Sequence, residues 1–175
     1  MKHMDVPGPA GLRSALSTAV LLVIFAALTG CGPVMSEELL EKVNWDLTFE
    51  EIRKDPGRYE GETVALGGSV ISTNNLKETT IVRVLQQPLD RGLEPTGPEG
   101  SKGRFMVEFD GFVDPAIIHM RTRITVVGRV GVSRTEEIGN MPYEYPVIEP
   151  IEYHVWREPG NRVGVGLGLG VIIGR

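Results

Sequence analysis

The chain has 175 residues, a formal charge of −5 and 6% aromatic residues, with 22 glycines and 12 prolines. A mildly acidic balance without clustered Lys and Arg excludes the electrostatic footprint of a nucleic-acid or polybasic membrane binder, and a single cysteine excludes an internal disulfide and a cysteine-based metal site. The glycine and proline content favours turns and short strands over long helices.

At the N-terminus Lys2, His3 and Arg13 stand before an apolar run from Ala15 to Leu28 that only Ser17 and Thr18 interrupt. This run is shorter than the ~20 residues a membrane-spanning helix needs and suits the apolar region of a secretory signal peptide. Leu28-Thr29-Gly30-Cys31 then reads as a lipoprotein processing site. Small residues at Thr29 and Gly30 admit a signal peptidase to the backbone, and the Cys31 thiol is the nucleophile that takes a diacylglycerol. Residues 1–30 are therefore expected to be a signal peptide, and the mature chain to begin at Cys31 with a diacylglycerol and an N-acyl chain. No other cofactor and no metal is expected. At ~0.8 kcal/mol per buried CH₂, two or three chains anchor the protein to membrane lipid in effect permanently. Gly32 and Pro33, in place of an aspartate, imply sorting to the outer membrane. The mature charge becomes 16 Lys and Arg against 22 Asp and Glu.

Residues 31–47 are read as the acylated N-terminus and a tether. Thr48 to Ile52 has the form of a capping box, Thr48 paired with Glu51, and predicts one or two helical turns that Pro56 and Gly57 stop. From Glu62 the period changes to two. Thr63 to Ile71 is a first strand with the Gly67-Gly68 pair at a bulge or sharp coil, and Thr79 to Leu85 a second, joined by a turn at Asn74-Asn75. Residues 86–103, rich in Pro and Gly, form a long loop. Arg104 to Phe109 is a third strand with Phe105, Val107 and Phe109 on one face. Asp114-Pro115 opens a short helix reaching about Met120. Arg123 to Val132 is a fourth strand, 134–142 a loop, and Tyr145 to Trp156 a fifth strand that Pro146 and Pro150 confine to an edge or to bulges.

The expected fold is mainly β: a small five-stranded OB-like barrel with a short helix between strands 3 and 4, or alternatively an open antiparallel sheet or sandwich of the same elements. The domain spans 48–157, and 158–175 is a Gly-rich apolar tail, read as flexible or weakly membrane-associating, or alternatively as an added edge strand or self-association segment.

The pattern resembles the Slp outer-membrane lipoproteins, a family named for a starvation-inducible member. The resemblance runs from about Phe49 to Trp156. It is carried by Pro56, Tyr59 and Gly61, the Gly67-Gly68 pair, Val84-Leu85 through Pro88-Leu89-Asp90, and Ser101 with Gly103-Arg104-Phe105. It continues through Phe112 with Asp114-Pro115, Thr125 to Gly128, Ile138-Gly139, Tyr143 with Tyr145-Pro146-Val147, and Trp156. Leu66 stands where Trp is expected before the glycine pair, and Thr122 where a Gly usually precedes Arg123. The resemblance implies an outer-membrane-anchored domain facing the periplasm, linked to starvation or envelope stress, without an established catalytic activity or ligand.

No acid, base and nucleophile share a candidate site, so the expected function is a non-enzymatic structural or interaction module with envelope proteins as partners and no nucleic acid. The alternative is an OB-type module binding a glycan or small envelope ligand, with Arg104, Tyr143 and Tyr145 at its rim beside the long loop. Arg104 is also placed to pair with Asp90 or Asp114 and pin that loop. His119 and His154 are too dispersed to suggest a metal pair, and Ser101-Lys102 has no oxyanion hole to make it a hydrolase pair.

Overall fold

The computed structural model describes residues 34–156; the signal peptide, the processing site with Cys31, and the tail from residue 158 lie outside them. Its elements are α1 (Glu37–Leu40), α2 (Phe49–Lys54), a 3₁₀ turn (Pro56–Tyr59), β1 (Thr63–Asn75) and β2 (Thr79–Gln87). A second 3₁₀ turn (Pro98–Gly100), β3 (Arg104–Asp110), β4 (Arg123–Ile138) and β5 (Met141–Trp156) follow. The strands close into a barrel in the order β1-β2-β3-β5-β4. Every pairing is antiparallel except β3 with β5, which is parallel and short, joining Met106 to Val147 and Val107 to Ile148. This is the connectivity of an OB-fold, and the open-sheet alternative falls away.

The alternation seen in the sequence determines what enters the barrel. Val64, Leu66 and Val70 of β1, Val82 and Val84 of β2, Phe105, Val107 and Phe109 of β3, and Ile124, Val126 and Val130 of β4 form one core. Leu66 thus fills a core position. The glycine pair serves close backbone approach: a Cβ at Gly68 would run into the Leu85 carbonyl of β2, and one at Gly128 into the Glu149 carbonyl of β5. The bulge of β1 falls just past the pair, between Val70 and Ser72. Both prolines of β5 sit where its ladder to β4 slips, Pro150 opposite Gly128 beside one shift and Pro146 within the other, so a missing N–H breaks no regular ladder.

The capping box at Thr48 forms as predicted. The Thr48 hydroxyl accepts from Glu51 N–H at 3.3 Å, and the Glu51 carboxylate accepts from Thr48 N–H at 2.9 Å. Phe49 and Ile52 of α2 are buried in the barrel core, with the Phe49 ring tilted against Phe105 at 6.0 Å.

Three expectations are corrected. Residues 35–47 are folded, not a tether: Met35, Leu39 and Val43 are buried, Asn44 N–H donates to Thr63 O at 2.8 Å, and Ser36 donates through its N–H and hydroxyl to Glu152 of β5 at 3.1 and 2.8 Å. The chain between β3 and β4 makes a single turn, not a helix. Ile117 and Ile118 N–H both bond Asp114 O, Asp114 Oδ1 accepts from Ala116 N–H, and Arg121 at φ 74° turns the backbone away. One closed turn is where helix nucleation is still unfavourable. Finally, 134–142 is a β-ribbon in which β4 and β5 pair to Ile138 and Met141 around Gly139-Asn140.

Candidate functional site

OB-folds that bind oligonucleotides or oligosaccharides use the face of strands 2 and 3 with the loops between strands 1 and 2 and between strands 4 and 5. Here that face presents Ile81 and Arg83 from β2 and Met106 and Glu108 from β3, since Val82, Val84, Phe105 and Val107 point into the barrel. It is not open to a ligand. The β4–β5 ribbon lies over it, burying Ile81, Met106, Tyr145 and Val147 in a second small apolar cluster, with Ile138 and Tyr143 packed alongside.

Two charge pairs fasten the ribbon. Arg83 donates from Nε to Glu136 Oε2 at 2.7 Å and from Nη2 to Glu136 Oε1 at 2.6 Å, a bidentate fork. Arg134 Nη2 reaches both oxygens of Glu108 at 2.7 and 2.6 Å. The hydrogen bonds from Arg83 outweigh partial burial and hold the Glu136 carboxyl below its ordinary value, while the same bonds raise Arg83. Neither pair was legible as a site in the sequence, because the partners are 53 and 26 residues apart. One available signal was Gly139-Asn140, a two-residue hairpin turn between polar β-capable runs, with Gly139 at φ 64°.

The three rim residues do converge, but on one another. Arg104 N–H donates to the Tyr143 hydroxyl at 2.8 Å, and that hydroxyl donates to Arg104 O at 3.3 Å. Tyr143 meets Tyr145 edge to face at 4.7 Å. Tyr145 is only 2% exposed, so it presents no ring to a ligand. Tyr143, Tyr145 and the Arg104 backbone form a structural joint between the start of β3 and the ribbon, which takes Tyr145 out of the expected rim.

Residues 86–103 begin as the end of β2 and continue as an ordered strap across β1 and β4. Asp90 Oδ1 accepts from the N–H groups of Gly92 and Glu94, Thr96 N–H donates to Pro88 O, and Leu89 packs over Gly67. The residue that pins the strap is Arg123, not Arg104: its Nη1 lies 2.6 Å from Glu94 Oε1 and 3.4 Å from Pro95 O. Buried Thr125 adds a polar hinge, donating to Leu93 O at 2.6 Å and accepting from Trp156 Nε1 at 2.9 Å. Leu93 takes φ 66° to deliver that carbonyl.

The two histidines and the Ser101-Lys102 pair have structural partners. His119 Nδ1 lies 3.0 Å from Met120 O, and His154 stacks edge to face on Trp156. Ser101 Oγ bonds the Gly103 backbone, and Lys102 Nζ lies 3.6 Å from Glu50. Phe105 and Phe109 are core, whereas Phe112 is exposed. Among the described residues no three His, Cys, Asp or Glu side chains are grouped to hold a metal, and no helix is long and apolar enough to cross a membrane.

The geometry defines a class first: a closed OB-type barrel whose usual ligand face is covered by its own chain, bound at its N-terminal segment through Ser36. The family model for the outer membrane lipoprotein Slp family matches residues 28–166, and the chain belongs to that family. Lipid anchorage at the outer membrane follows. The lipoprotein YeaY of Escherichia coli K12 is similar, at 28% identity over 142 residues, 81% of this chain and 68% of that one. A Haemophilus influenzae protein is 33% identical over 131 residues, 74% of this chain and 70% of its own. The outer membrane protein Slp of E. coli K12 is 27% identical over 109 residues, 62% and 57% of the two chains. A small single-stranded DNA-binding protein from Streptomyces coelicolor superposes at a TM-score of 0.36 with 12% identity, covering 54% of this chain and 94% of that one. So low a likeness carries no weight, and the fold rests on the strand order.

Proposed function

We propose that the protein is a non-enzymatic interaction module of the cell envelope, acylated on Cys31 after cleavage behind Gly30 and facing the periplasm, with other envelope proteins as partners under starvation or envelope stress. The observation that carries this reading is the covered β2–β3 face. The surface on which an OB barrel would take a polymer ligand is filled by the ribbon through Arg83–Glu136 and Arg134–Glu108. A barrel closed in this way retains a rigid outer surface, which is what docking to proteins needs, and a lipid anchor concentrates it at the membrane where such partners lie.

The test is the Cys31→Ser protein expressed in a Gram-negative host. It is expected to lose acylation, seen as a mass loss at the N-terminal peptide, and either to accumulate as precursor or to leave the membrane fraction. Retention in the outer membrane with normal processing would overturn the anchor. Crosslinking in intact envelope should recover a defined protein partner with the native form and not with Cys31→Ser.

A further inference from the structure

We propose that the turn between β3 and β4 is a lipid-contacting surface: Phe112, Ile117 and Met120 enter the headgroup and upper acyl region of the bilayer that holds the anchor. The proposal rests on acylation of Cys31 as read above.

These three side chains are 74%, 59% and 65% exposed, although apolar, and stand within nine residues of one another in the chain. Mobility does not account for their exposure, because the backbone that carries them is pinned on every side. Gly111 N–H donates to Glu78 O, Arg121 N–H to Val70 O, and Val70 N–H to Thr122 O, each at 2.8 Å. Asn75 Nδ2 donates to Val113 O at 3.1 Å and Thr73 Oγ1 to Ile118 O at 2.7 Å. Ile118, between them, is fully buried and plugs the barrel core. Two apolar residues of the turn, Ile118 and the partly buried Val113, are therefore spent on the fold and three are held outward. Ile117 and Met120 share a concave surface with Val155 and Trp156 at the end of β5. Arg121, exposed beside Met120, is placed for a lipid phosphate, as snorkelling cations at membrane interfaces are.

The occupant is chosen by the reach of the anchor. Because residues 35–47 are packed on the barrel, only the chain from Cys31 to Ser36 separates the acyl chains from the clamp on Glu152. Five residues extend at most about 18 Å. From Glu152 to Trp156, where the apolar surface begins, four strand residues span about 13 Å. A domain on so short a leash is held against the membrane and not projected from it. The anchor also makes contact of the turn with lipid an intramolecular event, so a patch too small to bind vesicles unaided is occupied once the protein is acylated. A turn carrying exposed Phe, Ile and Met is the surface expected to face the interface.

The lone cysteine makes the test direct. In the acylated protein the Cys31 sulfur is a thioether, so Met120→Cys, Phe112→Cys or Asn140→Cys supplies the sole reactive thiol for an environment-sensitive fluorophore. Asn140, at the tip of the ribbon, is the reference. The full acylated protein is placed in vesicles of phosphatidylethanolamine and phosphatidylglycerol containing phosphatidylcholine with a nitroxide on its acyl chain. Mass spectrometry of the N-terminal peptide reports acylation independently. The expected result is that probes at 120 and 112 lose most of their fluorescence to the nitroxide while the probe at 140 loses none. Acylated protein whose probes at 120 and 112 behave like that at 140 overturns the lipid surface and leaves the anchor standing. Probes shielded from water yet not quenched would mean that the chain's own apolar 163–173 segment covers the turn, which also overturns it. An N-terminal peptide without acyl chains overturns the anchor reading, and the lipid surface with it.

Discussion

Gly68 shows how much of this barrel depends on one missing side chain. Its neighbours on both sides are strand backbones, Gln86 of β2 and Ile124 of β4, and a Cβ there would collide with the Leu85 carbonyl, which cannot swing aside as a side chain can. Gly68→Ala is expected to cost about 1–3 kcal/mol, the range of core overpacking. Gly57, with nothing within 4 Å of the added methyl, supplies the control: Gly57→Ala should change stability by no more than about 0.5 kcal/mol. Urea unfolding of the two variants checks the contrast, and equal midpoints would refute the account of the glycine pair. At the same scale the two tyrosines show why a residue type alone does not make a site. Tyr143 and Tyr145 look like a rim because aromatics beside prolines and a loop are usually exposed. Edge-to-face contact with Tyr143 helps bury Tyr145, and Tyr143, half-buried, has its hydroxyl tied to the Arg104 backbone.

Among the elements, the ribbon is the one whose placement changes what the molecule can do. Its fastening by Arg83 and Glu136 is partly exposed, so the pair is worth about 1 kcal/mol or less and not the full Coulomb energy of a dry contact. Glu136 has a carboxyl held below its ordinary value of 4.5, chiefly by the hydrogen bonds from Arg83. For a group lowered in the folded state, the stabilisation is complete above the unfolded value and disappears as pH falls through the folded one. The ribbon should therefore remain closed down to pH 4.5 and loosen only below it. Amide exchange in residues 132–145 is expected to rise in that acid window, and in Glu136→Gln to be raised already at neutral pH, with the barrel strands unchanged. Acid-independent exchange in the native protein would show that apolar packing of Ile81, Met106, Tyr145 and Val147 alone holds the ribbon.

For the molecule as a whole, the folded N-terminal segment is what converts an anchored barrel into one held close to lipid. A protein beginning at residue 48 loses the buried Met35, Leu39 and Val43 and the Ser36 clamp on Glu152. Compared with one beginning at residue 34, its melting temperature is expected to fall by at least about 4 °C, the shift that roughly 1 kcal/mol produces in a domain of this size. An unchanged melting temperature would return residues 35–47 to the status of a linker and lengthen the leash on which the lipid-contacting turn depends.

Local patterns carried by the sequence alone determined the five strands, their order, the capped α2 and the core faces. A capping box is a four-residue statement, and alternation over five to eight residues selects the inward side of a strand whatever lies opposite. The same reasoning placed the prolines of β5 at ladder irregularities; it put the glycine pair of β1 at a bulge, where the structure shows close backbone approach with the bulge just beyond, between Val70 and Ser72. It missed the ribbon because Arg134 to Glu137 has no apolar alternation; those side chains find their partners on another strand. It took residues 35–47 for a tether because four helical residues and three spaced apolar side chains do not form a period. Only tertiary structure could decide these points, along with the burial of Tyr145 and the choice of Arg123 over Arg104 as the pin of the strap. Each rests on groups far apart in the chain, 116 residues for Ser36 with Glu152 and 53 for Arg83 with Glu136, and such contacts become favourable only after the barrel has brought their carriers together.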